Sequence, residues 1–439
     1  MDQKTHDVVI LGGGISGLTA AFAQQKKGAD FLLLEASERL GGVIHTEKQD
    51  GYRLEQGPNS ILGNEEILRL VKDLGIEGKI RKNEAIASTR YLLFKDKLLK
   101  LKPGWSLLSS GFMTLGMIWA FLTEPFRGRS KDDDESIASF IKRRLNKDIL
   151  NRMINPLVTG IYAGDPEKLS LRSTFKKLYA MEQEHGSLIK ASFKRKQKAP
   201  KREALSFEEG LNTLVDALEK QLSNDARTNA LVQSVEPFED GFKVVYEDRD
   251  GQQTIYTKSV ISTLPTLATS KMFNFLEETL KFQLKEIEYA PMLLVYLGYP
   301  KENVKQELDG FGYLIAQQEQ QPYLGGIWSS AIFPEVAPEG KYLFTLFVGG
   351  INNKSVVNNQ DETIEKAKSA FERHMGISGS PHYQSYFLYE RAIPQFKVGY
   401  YKIMDSIDRV EEQYPGLYFS GNWRSGVAIG DCVAYNAKL

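Results

Sequence analysis

The sequence predicts an α/β protein: a parallel-sheet domain at the N-terminus, a second domain of α+β type on a mixed sheet, and a helical insert. Three observations carry this. A buried strand, a glycine turn, a helix and a second buried strand fill residues 7–35. Strand patterns return at 231–263 and 290–350. Residues 104–190, by contrast, are rich in helix formers and hold the charge run Lys131–Glu135. A chain of 439 residues is long for one core, so about two or three lobes are expected.

Asp7–Leu11 and Asp30–Glu35 are short, unbroken apolar runs, the pattern of strands buried on both faces. Gly12–Gly14 form the turn between them and Ile15–Lys27 the helix. Residues 64–80 read as helical, with Ile67, Leu68, Leu70, Val71 and Leu74 on the apolar side. Residues 89–101 read as a hairpin, turning at Lys95–Lys97. Leu231–Val235, Phe242–Tyr246 and Lys258–Ser262 are expected strands, as are Leu293–Leu297, Tyr313–Ile315 and Tyr342–Val348. Residues 361–374 make a helix, and Gly416–Gly421 closes the chain with a strand and the start of a short helix. The basic stretch Lys194–Arg202 reads as a solvated loop.

Hydrophobic residues make up 42% and charged residues 26%, a soluble globular balance. Lys+Arg equals Asp+Glu at 56 each, so charge gives no sign of a nucleic-acid partner. A single cysteine, Cys432, excludes an internal disulfide and fits a reducing compartment. The five histidines are scattered without ligand spacing, so no metal is expected. No signal peptide is expected before Asp7, and no apolar run has the length of a membrane span.

Gly12-Gly13-Gly14-Ile15-Ser16-Gly17 follows a strand and opens a helix. Gly12 permits the tight turn, Gly14 a close backbone approach to a pyrophosphate, and Gly17 close helix–strand packing. The helix N-terminus then faces the phosphates. Glu35, at the end of the second strand, would accept from the ribose hydroxyls and repel a 2′-phosphate. This Rossmann-type unit alone leaves FAD and NAD open. Arg39, Gly41, Gly42 and Val43 add a second close backbone approach, suited to the longer cofactor, FAD.

That continuation resembles FAD-dependent amine oxidases, and further segments narrow the resemblance to the protoporphyrinogen/coproporphyrinogen oxidase family. Glu55–Ser60 is similar to that family's flavin-side loop, Asn155–Pro166 with Leu169-Ser170 to its cavity-entrance loop, and Phe419–Cys432 to its C-terminal flavin motif. Phe207–Leu214 and Gly310–Leu314 also fit. The resemblance implies oxidation of protoporphyrinogen IX by six electrons, through FAD held non-covalently, with O2 as acceptor, in heme biosynthesis. Coproporphyrinogen III oxidation is the alternative, and a flavin amine oxidase the more distant one. It implies flavin contacts at Gly12–Gly17, Glu35, Arg39, Gly42, Val43, Gly57, Pro58, Asn59, Ser60, Val235, Gly421, Asn422, Val427, Ala428 and Ile429. It places Arg90 on a substrate propionate and Gly160 and Gly164 at the cavity entrance. Leu314, Ile327 and Phe347 would clamp the tetrapyrrole, with Ile327 where leucine is usual. Asn59 would stand beside the reacting methylene bridge. All three clamp residues lie on apolar strand segments, so core packing is the rival reading.

The resemblance also implies a discontinuous FAD domain (1–85, 204–263 and 396–439), a substrate domain (86–103 and 264–395) and a helical insert (104–203). In the insert, Trp105–Leu122 is apolar, with Trp105 and Trp119 suited to a membrane interface. A buried helix pair is the other reading. The expected location is cytoplasmic, peripheral on the membrane face, and a homodimer is one expected assembly.

Overall fold

The computed structural model describes residues 5–83, 89–101, 110–194, 203–222 and 225–439. The chain opens with β1 (Thr5–Leu11), α1 (Ile15–Lys27) and β2 (Phe31–Leu34). β1 and β2 pair in parallel, and all of β2 is buried, as its four apolar residues require. β3 (Thr46–Gln49) and β4 (Tyr52–Glu55) form an antiparallel hairpin. α2 (Glu65–Asp73) is capped by the Asn64 side chain, which accepts from the Ile67 N–H, with Glu65 and Glu66 at its positive end. It stops well short of residue 80, because Gly75 takes a left-handed conformation.

The predicted hairpin is β5 (Tyr91–Phe94) and β6 (Lys97–Lys100), turned by Lys95 and Asp96, both at positive φ. The insert follows: α3 (Leu115–Thr123), α4 (Ile137–Arg144), α5 (Asn155–Tyr162) and α6 (Lys176–His185), with shorter turns between. Arg144 is fully buried there, 2.6 Å from Glu182 and 3.2 Å from Glu124. Trp105 and nearly all of the basic stretch 194–202 lie outside the described residues.

After α7 (Asn212–Leu222), β7 (Leu231–Phe238), β8 (Gly241–Asp248) and β9 (Gly251–Ser262) form a meander. The second sheet takes β10 (Tyr289–Pro300), β11 (Gly312–Ile315), β12 (Gly325–Ile327) and β13 (Lys341–Gly349). Then come α8 (Gln360–Met375), β14 (Tyr383–Pro394), α9 (Tyr400–Gln413), β15 (Leu417–Phe419) and α10 (Ile429–Asn436).

The first sheet runs Ala226–Arg227, β2, β1, β9, β8, β7, with β15 added beside β9. β1 lies parallel to β9, which brings the start and middle of the chain together. The second sheet runs β14, β10, β13, β12, β11, β5, β6. It is mixed, because β11 and β5 pair in parallel while the other pairs are antiparallel. One face of this sheet packs on α8. The other carries Leu294, Tyr296, Ile327 and Phe347 and meets Tyr52 and Leu54 of the β3–β4 hairpin. Residues 266–286 pack in the core of the first sheet through Phe273, Leu276, Leu280 and Leu284. The fold class is that expected, and β14, α7 and α9 are additions to the elements read from sequence.

Candidate functional site

The glycine turn is built as its spacing requires. Gly12 sits at φ +96°, and a Cβ on Gly17 would lie 1.8 Å from the Gly12 carbonyl oxygen. Thr263, at the end of β9, donates its hydroxyl to the carbonyls of Leu11 (2.9 Å) and Gly12 (3.1 Å), locking the turn from below. Gly14 differs. A Cβ there would meet only Gly42 Cα, at 3.9 Å. The described residues leave that side open, and the open space is room for a ligand to approach the backbone. The first turn of α1 has no side-chain cap and no acidic residue, which leaves its N–H groups and positive dipole end for an anion. Ile15 and Ser16 are buried in that turn.

The Glu35 carboxylate lies over this turn. It accepts from the Gly13 N–H (2.6 Å) and from the N–H and hydroxyl of Ser37 (2.8 and 2.7 Å). The backbone of Glu35 is bonded to Arg227 and Ala230, so segment 227–230 stands beside it. Sequence reading passed over that segment, whose one signal is Asn229, held at positive φ. Val235 is fully buried in β7, pairs with Val244 and bridges Phe273 within the core of the first sheet.

Arg39 donates to the carbonyls of Gly42 (2.7 Å), Leu40 (3.1 Å) and Ile44 (3.2 Å), and so fixes the second glycine loop. The Gly41 N–H bonds the Gly13 carbonyl at 2.8 Å, strapping the two glycine loops together. Val43 is half exposed, and its carbonyl lies so close to Gly57 that a Cβ there would be 2.0 Å away. Pro58, Asn59 and Ser60 continue from this contact, all partly buried. The Asn59 amide nitrogen is buried without a hydrogen-bond partner among the described residues.

The C-terminal segment closes the same region. The Ser420 N–H bonds the Ser262 carbonyl (2.8 Å), and Asn64 donates to the Gly430 carbonyl (3.2 Å). Gly421 is buried at positive φ. Asn422 and Val427 are partly buried, Ala428 is exposed, and Ile429 is buried at the start of α10. Trp423 is buried, donating to the Leu264 carbonyl at 3.0 Å and packing on Phe419. Cys432 is enclosed, and burial pushes its thiol up.

On the second sheet, Leu314, Gly325 and Phe347 stand in register across β11, β12 and β13, and Ile327 faces Thr345. The three apolar side chains are partly buried, alternating with the fully buried Tyr313, Trp328, Leu346 and Val348 of the opposite face. These three lie on the opposite face, where Ile327 and Phe347 pack on the cluster that holds Tyr52 and Leu54, and Leu314 on the one that holds Leu92, Phe94 and Phe112, so packing engages them as well. α5 closes on them: a Cβ on Gly160 would lie 2.6 Å from the Leu314 side chain. Gly164 is buried instead against Gln395 and Leu169. The Arg90 guanidinium lies over the Phe311 ring at 4.1 Å, and its partial burial lowers its pKa.

Phe311 and Ile327 meet the loop that follows β4 in one pocket, whose walls include Asn59, Ser60, Arg53, Glu55 and Thr345. Glu55 accepts from the Leu211 N–H (3.0 Å) and the Thr46 hydroxyl (2.9 Å), and burial pushes its carboxyl up to about 7. Thr263 was not singled out in sequence, and Glu55 and Phe311 stood within Glu55–Ser60 and Gly310–Leu314 without a role of their own, since each matters through contacts with distant segments. No cluster of His, Cys, Asp and Glu among the described residues has the form of a metal site.

The chain matches the family model described as flavin containing amine oxidoreductase over residues 15–434. It is 32% identical to protoporphyrinogen oxidase 1, chloroplastic, of Arabidopsis thaliana, covering 99% of this chain and 88% of that protein. It is also 32% identical to coproporphyrinogen III oxidase of Bacillus subtilis, covering 98% and 96%. A crystal structure from Exiguobacterium sp. 255-15 superposes with a TM-score of 0.82 at 24% identity, covering 100% of this chain and 98% of that one. The open glycine cradle, the uncapped helix terminus and the carboxylate above them fit a dinucleotide at this position.

Proposed function

Because the chain belongs to the flavin-containing amine oxidoreductases and is an FAD-dependent oxidoreductase, we propose that it oxidises a porphyrinogen to a porphyrin, with O2 as the terminal acceptor. Protoporphyrinogen IX is the leading substrate, after the plant relative, and coproporphyrinogen III the second, after the Bacillus relative. The observation that carries the reading is that Asn59 and Ile327, from the flavin-side loop and the apolar sheet face, line one pocket.

FAD, when bound, supplies the two-electron acceptor. Gly12–Gly17 and the α1 terminus would hold its diphosphate and Glu35 its ribose, with Arg39 keeping Gly42 and Val43 in place. Gly57–Ser60, Gly421, Asn422 and Val427–Ile429 would line the flavin end. The remaining task is positioning, since one methylene carbon must sit within about 3.5 Å of the acceptor atom. Leu314, Ile327 and Phe347 press the tetrapyrrole flat, Gly160 lets α5 approach it, and Arg90 pairs with a propionate. Attachment of the flavin to the chain is not expected, because Cys432 is enclosed and its thiol is held protonated.

α3 favours peripheral membrane contact. Leu115, Trp119 and Leu122 are 85%, 66% and 64% exposed, and Phe126 in the turn after the helix is 87% exposed, an apolar surface of the kind that marks an interaction site. Among the described residues no helix is long and apolar enough to cross a membrane.

The test offers each porphyrinogen in turn and follows porphyrin fluorescence, with flavin bleaching under anaerobic mixing. Faster porphyrin formation from protoporphyrinogen IX supports the first substrate, and the reverse order the second. Porphyrin from neither would sink the proposal.

A further inference from the structure

The pocket between the flavin-side loop and the second sheet has one apolar wall, formed by Phe311, Ile332, Phe333, Val336 and Leu343. Polar residues line the pocket as well, among them Asn59, Arg53 and Glu55. It has room for about one water molecule. Two of the lining residues, Asn59 and Arg53, each carry a buried nitrogen (Nδ2 and Nε) without a hydrogen-bond partner among the described residues. Buried polar groups of this kind are ordinarily satisfied by ordered water. Glu55 spends two of its roughly four acceptor positions on Leu211 and Thr46, which leaves others for a water.

We propose that Glu55 receives the protons leaving the pyrrole nitrogens, relayed from the Asn59 side of the pocket through a water held between them. This rests on the porphyrinogen reading. In the step, an N–H bond breaks and its electron pair stays on nitrogen. The proton joins the water as that water passes one of its own to the Glu55 carboxylate, which becomes neutral and loses this proton to solvent before the next two-electron round. The hydride lost from the adjacent methylene carbon belongs to the family's flavin chemistry and does not involve Glu55. Glu55 acts through the water, so it is a positioning residue for the proton.

The setting suits that role. Burial brings the Glu55 carboxyl to about 7, near the pH at which a base both holds and releases a proton. Arg53 on the same strand pulls the other way, as do the bonds from Thr46 and Leu211. Arg53 is itself paired with Glu335 at 3.2 Å, and Tyr296 on β10 donates to the Glu55 backbone carbonyl at 2.7 Å, with Glu47 on β3 acting on the same Tyr296.

The experiment uses the FAD-loaded full chain. Wild-type kcat/KM should rise with pH through an acid limb near neutrality. Glu55→Gln should fold, bind FAD, lose that limb and fall at least about tenfold in rate. Thr46→Val removes a hydrogen bond that favours the charged form, so it should move the limb to higher pH. An infrared carbonyl band from a protonated carboxyl, titrating near neutrality without substrate and missing in Glu55→Gln, should accompany both. A folded Glu55→Gln enzyme with the wild-type profile overturns the inference. If that variant does not fold, an unmoved limb in Thr46→Val overturns it. Absence of porphyrin with the wild-type chain would instead overturn the substrate reading, while the infrared band still reports on Glu55.

Discussion

At the scale of single residues, the deepest consequence concerns Glu55. In the folded chain its carboxyl titrates at about 7 against an ordinary 4.5. Between those values the folded state holds a proton that the unfolded state has lost. Unfolding free energy therefore falls as pH rises from about 4.5 through 7, then levels off, a loss of about 3 kcal/mol. Glu55→Gln should flatten that slope in urea melts taken across the window, and a slope unchanged by the substitution would show that Glu55 is not its source. Glu35 poses a simpler case. Its carboxylate is fixed by the Gly13 N–H and by the N–H and hydroxyl of Ser37. Glu35→Ala should weaken FAD binding roughly tenfold or more, on one lost charge-assisted hydrogen bond, while leaving the melting temperature of the FAD-free protein within a few degrees. Equal FAD affinity, read by titration of flavin fluorescence, would remove Glu35 from the site. Glu35 and the glycines were legible because their spacing is local. Glu55 was not, because a carboxylate in the strand Tyr52–Glu55 shows nothing of the Leu211 and Thr46 groups that enclose it.

At the scale of elements, legibility followed burial on both faces. β2 and β10 are almost wholly buried and read directly as apolar runs. β14 is an edge strand with Glu390 and Arg391 exposed, so no run marks it. α9 is polar over most of its surface, with only Tyr400, Ile407 and Val410 buried. Pattern also left two readings for α3, and its geometry bears on both. Met117 and Ala120 are buried, which satisfies the packing reading along one stripe. Leu115, Trp119 and Leu122 project outward, which packing does not explain. Trp119→Glu combined with Leu122→Glu should leave the fold and the rate in detergent unchanged, while sedimentation with anionic liposomes falls severalfold. Undiminished sedimentation would assign α3 a different role.

At the scale of the whole molecule, the dinucleotide site closes only when remote segments meet. β9 reaches it from the middle of the chain, carrying Thr263 beneath Gly12, and β15 pairs with β9 from the C-terminus. α10 then packs on α1 through Ile429, Cys432 and Val433, within the same core as Ile15 and Leu18. Sequence motifs marked both ends of this arrangement. They did not show that the N-terminal cradle rests on β9, because that contact depends on strand order. Removing residues 427–439 tests the closure. It deletes the buried side chains of Ile429, Cys432, Val433 and Asn436, a loss of about 1.5–3 kcal/mol for each full-sized apolar group, and leaves Asn64 without the Gly430 carbonyl and the Ser420 hydroxyl without Asn436. It spares β15 and every strand of the second sheet. The shortened chain should keep most of its secondary structure by circular dichroism and lose its flavin on gel filtration, where absorbance gives the flavin-to-protein ratio. A stoichiometric ratio would mean that the N-terminal cradle holds the dinucleotide alone. Loss of the flavin with the sheets intact would mean that α10 completes the site after the fold has formed.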